Sequence, residues 1–160
     1  MTPVYCYTDC ASAELFVNGR SQGRRTKDRA SRLDRYRLRW NETVYEPGEL
    51  KVVAYGADGR AVATDVVRTA GAPARLALEK RRFGKLLFVT VTVVDKDGVC
   101  VPGADCAIAA KAGTGLRFRG ICNGDATSLE SFVKPRMKAF HGKLVAIFEG
   151  EGDAVVATIE

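Results

Sequence analysis

Four acidic residues are the candidates for carboxylate chemistry: Glu46 and Glu49 flank Pro47-Gly48, and Asp58 and Asp97 each precede a glycine. Acid–base or nucleophilic work needs a second group within hydrogen-bond reach. Pro-Gly and Asp-Gly steps set tight turns, so all four read as turn and surface residues and none makes a convincing pair. His141 is the sole histidine, and Phe140-His141-Gly142-Lys143 reads as a hairpin turn, which leaves no nucleophile with a partnered base. No glycine-rich loop follows a strand and opens a helix, so a nucleotide site has no basis. Cys6, Cys10, Cys100, Cys106 and Cys122 are odd in number, contain no CxxC pair and have one histidine to help them. A tetrahedral zinc site is therefore unsupported, and the expectation is no metal and no cofactor. The thiols read as small, half-buried hydrophobes, with one disulfide, such as Cys6 to Cys10 across a turn, left open.

Two polar stretches remain. Asn123-Gly124-Asp125-Ala126-Thr127-Ser128 is the most polar part of the second half, and loops between strands are where such domains carry binding residues. Asn123, Asp125 and Thr127 are the candidate ligand-contacting residues, for a sugar hydroxyl or a cation. The competing reading is an Asx-type turn in which Asn123 and Asp125 bond their own backbone. The other stretch, Arg20 to Arg39, holds nine basic residues against Asp28 and Asp34, in a chain of net charge +6. Such a run attracts anions. It has no nucleic-acid-binding signature beside it and reads as solvated loop charge, so no nucleic-acid partner is expected.

The elements that must position these residues are strands. Alternating, β-branched or aromatic runs recur at short intervals with Gly, Asn, Asp or Pro between them, and helical periodicity is nearly absent. In the first half the strands are predicted at 4–8, 13–17, 20–25, 36–40, 48–55 and 61–68. Asn18-Gly19 and Asp58-Gly59 sit between consecutive strands, where hairpin turns need φ > 0. In Arg35-Tyr36-Arg37-Leu38-Arg39-Trp40 the period of two sends Tyr36, Leu38 and Trp40 to a dry face and the arginines to a wet one. Trp40, the only tryptophan, thus reads as core rather than as a stacking platform, and Phe16, Phe88 and Phe148 are also expected to be buried. Thr69 to Ala74 breaks into small residues with Gly and Pro, as a short linker does. Strands follow at 75–79, 86–95, 104–110, 117–122, 144–149 and 154–159, with a short helical turn expected within 127–135. The spacing predicts an all-β chain of two consecutive β-sandwiches, at 1–70 and 71–160.

Val4-Tyr5-Cys6-Tyr7-Thr8-Asp9, the hairpin Ala13-Glu14-Leu15-Phe16-Val17-Asn18-Gly19-Arg20-Ser21-Gln22-Gly23, and Trp40 with Tyr45-Glu46-Pro47-Gly48-Glu49-Leu50-Lys51-Val52-Val53-Ala54-Tyr55 resemble an Ig-like domain. It is the one that follows the catalytic barrel in bacterial family 2 glycoside hydrolases of the β-galactosidase type. Arg68 to Gly71, Phe88 to Asp95, Gly120 to Asp125, Phe132 and Lys138 to Lys143 resemble the terminal Ig-like domain of the same enzymes. The five cysteines depart from any shared pattern.

The resemblance implies an accessory region whose partners are the catalytic and other domains of a parent enzyme, with edge contact to its substrate cleft. Retaining hydrolysis needs two carboxyl groups about 5–5.5 Å apart. In this family both come from the barrel, and this chain has no alternation of strand and helix with which to build one. No activity is expected of the chain alone. The alternative is an independent carbohydrate-binding module, which needs exposed aromatic rings in a row; a third reading, an anion-binding Ig pair, rests on the arginine run. No apolar run approaches the roughly 20 residues that cross a bilayer, and no membrane partner is expected. Met1-Thr2-Pro3-Val4 lacks the pattern of a signal peptide, so the sequence assigns no compartment and leaves a periplasmic or extracellular bacterial parent open.

Overall fold

Six strands follow from the alternation in the first part of the chain: β1 (Val4–Tyr7), β2 (Ser12–Val17), β3 (Arg20–Thr26), β4 (Arg37–Trp40), β5 (Glu49–Tyr55) and β6 (Ala61–Arg68). The structure is a computed structural model that describes residues 1–159. Its chain divides into two units, Met1–Thr69 and the residues from Ala70 onward. In the first unit an antiparallel sheet of order β3-β2-β5-β6 faces the pair β1-β4. Ala13 and Leu15 of β2, Ala54 of β5, and Leu38 and Trp40 of β4 close the core between them, with Val4 and Cys6 of β1 packed alongside. Each fully buried aliphatic side chain contributes roughly 1.5–3 kcal/mol. The Trp40 indole N–H donates to the Gly23 carbonyl at 2.8 Å, so the ring enters the core with its polar atom satisfied. At the β2–β3 turn Asn18 (φ 48°) and Gly19 (φ 78°) take the left-handed backbone of a two-residue hairpin. The Asn18 side chain accepts from the Glu49 N–H at 2.8 Å and donates to the Pro47 carbonyl at 3.1 Å, tying that hairpin to the Pro47-Gly48 turn.

The second unit holds β7 (Arg75–Phe83), β8 (Leu86–Val94), β9 (Ala107–Ala112), β10 (Leu116–Cys122), β11 (Arg136–Lys138), β12 (Lys143–Gly150) and β13 (Val155–Ile159). A sheet of order β10-β12-β8-β7 faces one of order β11-β9-β13. Leu87, Val89, Val91 and Val93 of β8 and Leu144, Ala146 and Phe148 of β12 meet Ile108 and Ala110 of β9 and Met137 of β11. Each unit is thus an antiparallel β-sandwich of the Ig-like kind, and the chain is all-β.

Several local expectations are corrected. Tyr36 is 61% exposed, because β4 begins only at Arg37; the Tyr36 N–H bonds the Leu33 carbonyl in a turn, and Arg35 lies over its ring. Phe16 and Phe88 are half-buried, since the pairing that turns Leu15 and Leu87 inward sends their neighbours outward. Lys51 covers the Phe16 ring, and Phe83 meets Phe88 edge-on. The strand expected at 75–79 continues to Phe83, and the one expected from Ala104 starts at Ala107. The segment 127–135 forms turns rather than a helical one, and β11 follows it.

His141 (φ 49°) and Gly142 (φ 73°) are the central pair of the hairpin between Phe140 and Lys143. A Cβ on Gly142 would collide with the Val101 carbonyl oxygen. Gly142→Ala is therefore expected to cost about 1–3 kcal/mol or more, through left-handed strain and a displaced backbone, read as a lowered urea midpoint.

Asp95 is buried, and its carboxylate accepts from the backbone N–H groups of Gly71 (2.8 Å), Asp97 (2.9 Å) and Val99 (2.8 Å). These bonds, that from Gly71 foremost, hold its pKa below the ordinary carboxylate value. A folded-state pKa below the unfolded one means that Asp95 stabilises the fold above the ordinary value of about 3.9, and that this contribution is lost as pH falls through the folded pKa. Urea titrations from neutral to acid pH are expected to show that decline in the wild type and a shallower one in Asp95→Asn, which starts from a lower neutral midpoint.

Candidate functional site

The loop after β10 brings Asn123, Asp125 and Thr127 together, and they bond chiefly to one another and to the backbone. Asn123 Oδ1 accepts from the Asp125 N–H at 3.1 Å, while its amide donates to the Lys138 carbonyl at 2.9 Å. Asp125 Oδ1 accepts from the Thr127 hydroxyl at 2.7 Å and the Thr127 N–H at 2.8 Å. The hydroxyl bond, then the backbone one, lowers the Asp125 pKa. The arrangement is that of consecutive Asx turns, anchored to β11 through Lys138. Glu130 extends the anchor, accepting from the Lys138 N–H at 3.2 Å.

The acids weighed for catalysis are engaged at the surface. Glu46 pairs with Arg20, Glu49 with Arg68 at 2.8 Å, and Asp97 with Lys96 at 2.7 Å, while Asp58 accepts from the Arg60 N–H at 3.1 Å. Exposed pairs of this kind stabilise little. His141 is exposed in its hairpin turn, and the five cysteines are free and half-buried. Burial, followed by the charge of Asp65, pushes the Cys6 thiol up, which makes it a poor nucleophile. Among the described residues no group of three or more His, Cys, Asp or Glu is gathered as metal ligands would be, and no helix is long and apolar enough to cross a membrane.

A second cluster lies on the first unit, on the outer face of the β1–β4 pair. Period two turns Val4 and Cys6 inward and leaves Tyr5 46% and Tyr7 69% exposed, opposite Arg39 and Arg37 respectively. The Arg37 guanidinium sits 4.8 Å from the Tyr5 ring centroid. Arg39 pairs with Asp34 at 2.7 Å. Beside this face a polar cavity of about 290 Å³ is lined by Arg25, Arg37, Arg39, Asp28, Asp34 and Glu42 among others. Sequence reasoning flagged the arginines as a run and passed over the tyrosines. The alternation in Val4 to Thr8 was a usable signal for them, once β1 is known to expose its odd-numbered residues.

Fold and site together define a tandem Ig-like sandwich module in which Glu46, Glu49, Asp58 and Asp97 are engaged in ion pairs or turns and the thiols are half-buried. The family described as glycoside hydrolase family 2 C-terminal domain 5 matches residues 80–160, and a domain of unknown function (DUF4982) matches residues 1–63. The β-galactosidase BoGH2A of Bacteroides ovatus is 37% identical over an alignment of 156 residues that covers 93% of this chain and 18% of that protein. Among solved structures, a glycosyl hydrolase family 2 member from Bacteroides cellulosilyticus superposes with a TM-score of 0.86 at 26% identity, over 99% of this chain and 22% of that one. A β-glycosidase from Bacteroides vulgatus also reaches 0.86 at 26% identity, over 99% of this chain and 21% of its own. The chain belongs to glycoside hydrolase family 2, as a C-terminal region of that family's enzymes. It spans about a fifth of the length of these relatives.

Proposed function

We propose that this chain is the non-catalytic C-terminal accessory region of a β-galactosidase-like glycoside hydrolase, packing against the catalytic and other domains of its parent. Residues 1–70 are assigned to the sandwich that follows the catalytic barrel and 71–160 to the terminal sandwich. The observation that carries the reading is the likeness to a β-galactosidase over 93% of this chain and only 18% of that enzyme. Paired catalytic carboxyls about 5–5.5 Å apart are then the business of the parent's remaining length. We assign edge contact with the substrate cleft to the loop of Asn123, Asp125 and Thr127, whose turns hold a polar, partly exposed surface in one shape.

A graft tests the packing role. Deleting from the B. ovatus β-galactosidase the stretch matched by this chain is expected to lower its melting temperature and its turnover, and inserting this chain there to restore part of both. A deletion that leaves stability and turnover unchanged, or a graft no better than the deletion, would overturn the reading.

A further inference from the structure

We infer that the outer face of the β1–β4 pair is a binding surface for acidic sugar chains, whose rings lie on Tyr5 and Tyr7 and whose anionic groups and hydroxyls meet Arg37 and the adjoining cavity of arginines and carboxylates. Tyr5 and Tyr7 stand two residues apart on one strand and offer exposed rings in a row, roughly 7 Å apart along the strand. That is the aromatic platform a carbohydrate surface needs, and neither ring is required by the core beneath.

Polar groups converge at its edge. The Arg37 guanidinium already lies against the Tyr5 ring, which restricts it before any ligand arrives. Arg25, Arg37 and Arg39 line the cavity of about 290 Å³ together with Asp28, Asp34 and Glu42, near the lower limit for small-ligand pockets. The guanidiniums donate and the carboxylates accept. A carboxylate or sulfate oxygen suits the first and a sugar hydroxyl suits the second, which is the mixed chemistry of an acidic sugar.

Charge selects the anionic class. The run Arg20 to Arg39 carries nine basic residues against two acidic ones, and it supplies β3, β4 and the segment between them, around the cavity. A field of that sign draws a polyanion to the face and makes its affinity fall with salt. A lining of three arginines and three carboxylates suits a ligand that mixes hydroxyls with spaced anionic groups better than a continuous polyphosphate.

Calorimetric titration of the whole chain with trigalacturonic acid, a sulfated galactotriose, neutral galactotriose and a single-stranded oligonucleotide tests this. Saturable binding of at least one acidic trisaccharide is expected, weakened by salt and about tenfold tighter than that of neutral galactotriose. Tyr7→Ala, at an exposed position that leaves the unfolding midpoint in place, is expected to weaken it by about tenfold, as is Arg37→Gln. Which trisaccharide binds identifies the anion as carboxylate or sulfate. Silence with both acidic sugars, undiminished binding by Tyr7→Ala, or tighter binding of the oligonucleotide than of either sugar would overturn the proposal.

Discussion

Truncating Phe148 to alanine is expected to cost the second unit about 3–5 kcal/mol, a large part of the stability of an ordinary domain. Phe148 is fully buried on β12, between β10 and β8 in their sheet, and its ring meets Phe118 edge-on at 5.8 Å and 73°. The loss combines the transfer of an aromatic ring with a cavity that β-sheet neighbours, held on both sides by hydrogen bonds, cannot collapse to fill. Phe148→Leu keeps most of the volume and is expected to cost less, about 1.5 kcal/mol or below. Urea denaturation followed by circular dichroism separates the two. Equal losses from both variants would mean that ring volume is not what the site requires.

Trp40→Ala is expected to destabilise the first unit on the same scale, about 3–5 kcal/mol. Trp40→Phe divides the effect. The benzyl ring retains most of the apolar burial, but the Gly23 carbonyl loses the indole donor that reaches it at 2.8 Å, a change of about 1 kcal/mol plus whatever volume is lost. Because Trp40 is the only tryptophan, the wild type reports on itself. Its emission is expected to lie to the blue in the native state, to move to the red on unfolding, and to ignore added sugars. A native emission already red, or one that responds to galacto-oligosaccharides, would place the ring at the surface and reverse the assignment of Trp40 to the core.

The all-β architecture was legible because period two and turn residues act locally. Leu38, Trp40 and Phe148 are buried as alternation requires, and Asn18-Gly19 and His141-Gly142 take positive φ as hairpins require. The errors sit where a distant partner decides. Alternation fixes which residues share a face but not which face meets the other sheet, and so Phe16 and Phe88 went to the wrong side. β11 spans three residues with Met137 alone pointing inward, too short to show a period; its pairing with β9 makes it a strand. The segment before it looked helical because Thr127 to Pro135 lacks alternation, whereas its backbone is tied elsewhere, as when the Phe132 carbonyl accepts from the Ile121 N–H at 2.9 Å.

The candidate loop was half legible. An Asx turn can be read from Asn123 and Asp125 alone, but the bond from Asn123 to the Lys138 carbonyl joins residues fifteen apart. The role of Asp95 was missed for the same reason, since Gly71 reaches it from twenty-four residues away. The turn positions of Asp58, Asp97 and His141 were legible because each stands before a glycine in a local turn. The Tyr5–Arg37–Tyr7 cluster could not be assembled, because it forms only when β1 pairs with β4 across some thirty residues.

As an accessory region, the chain is expected to hydrolyse no glycoside by itself. The purified chain is incubated at high concentration with a chromogenic β-galactoside over a range of pH. Release of chromophore is expected at the uncatalysed rate, unchanged when Glu46, Glu49, Asp58 and Asp97 are replaced one at a time by their amides. Saturable turnover abolished by any one of those replacements would contradict it, because that acid would then be half of a catalytic pair rather than part of a turn.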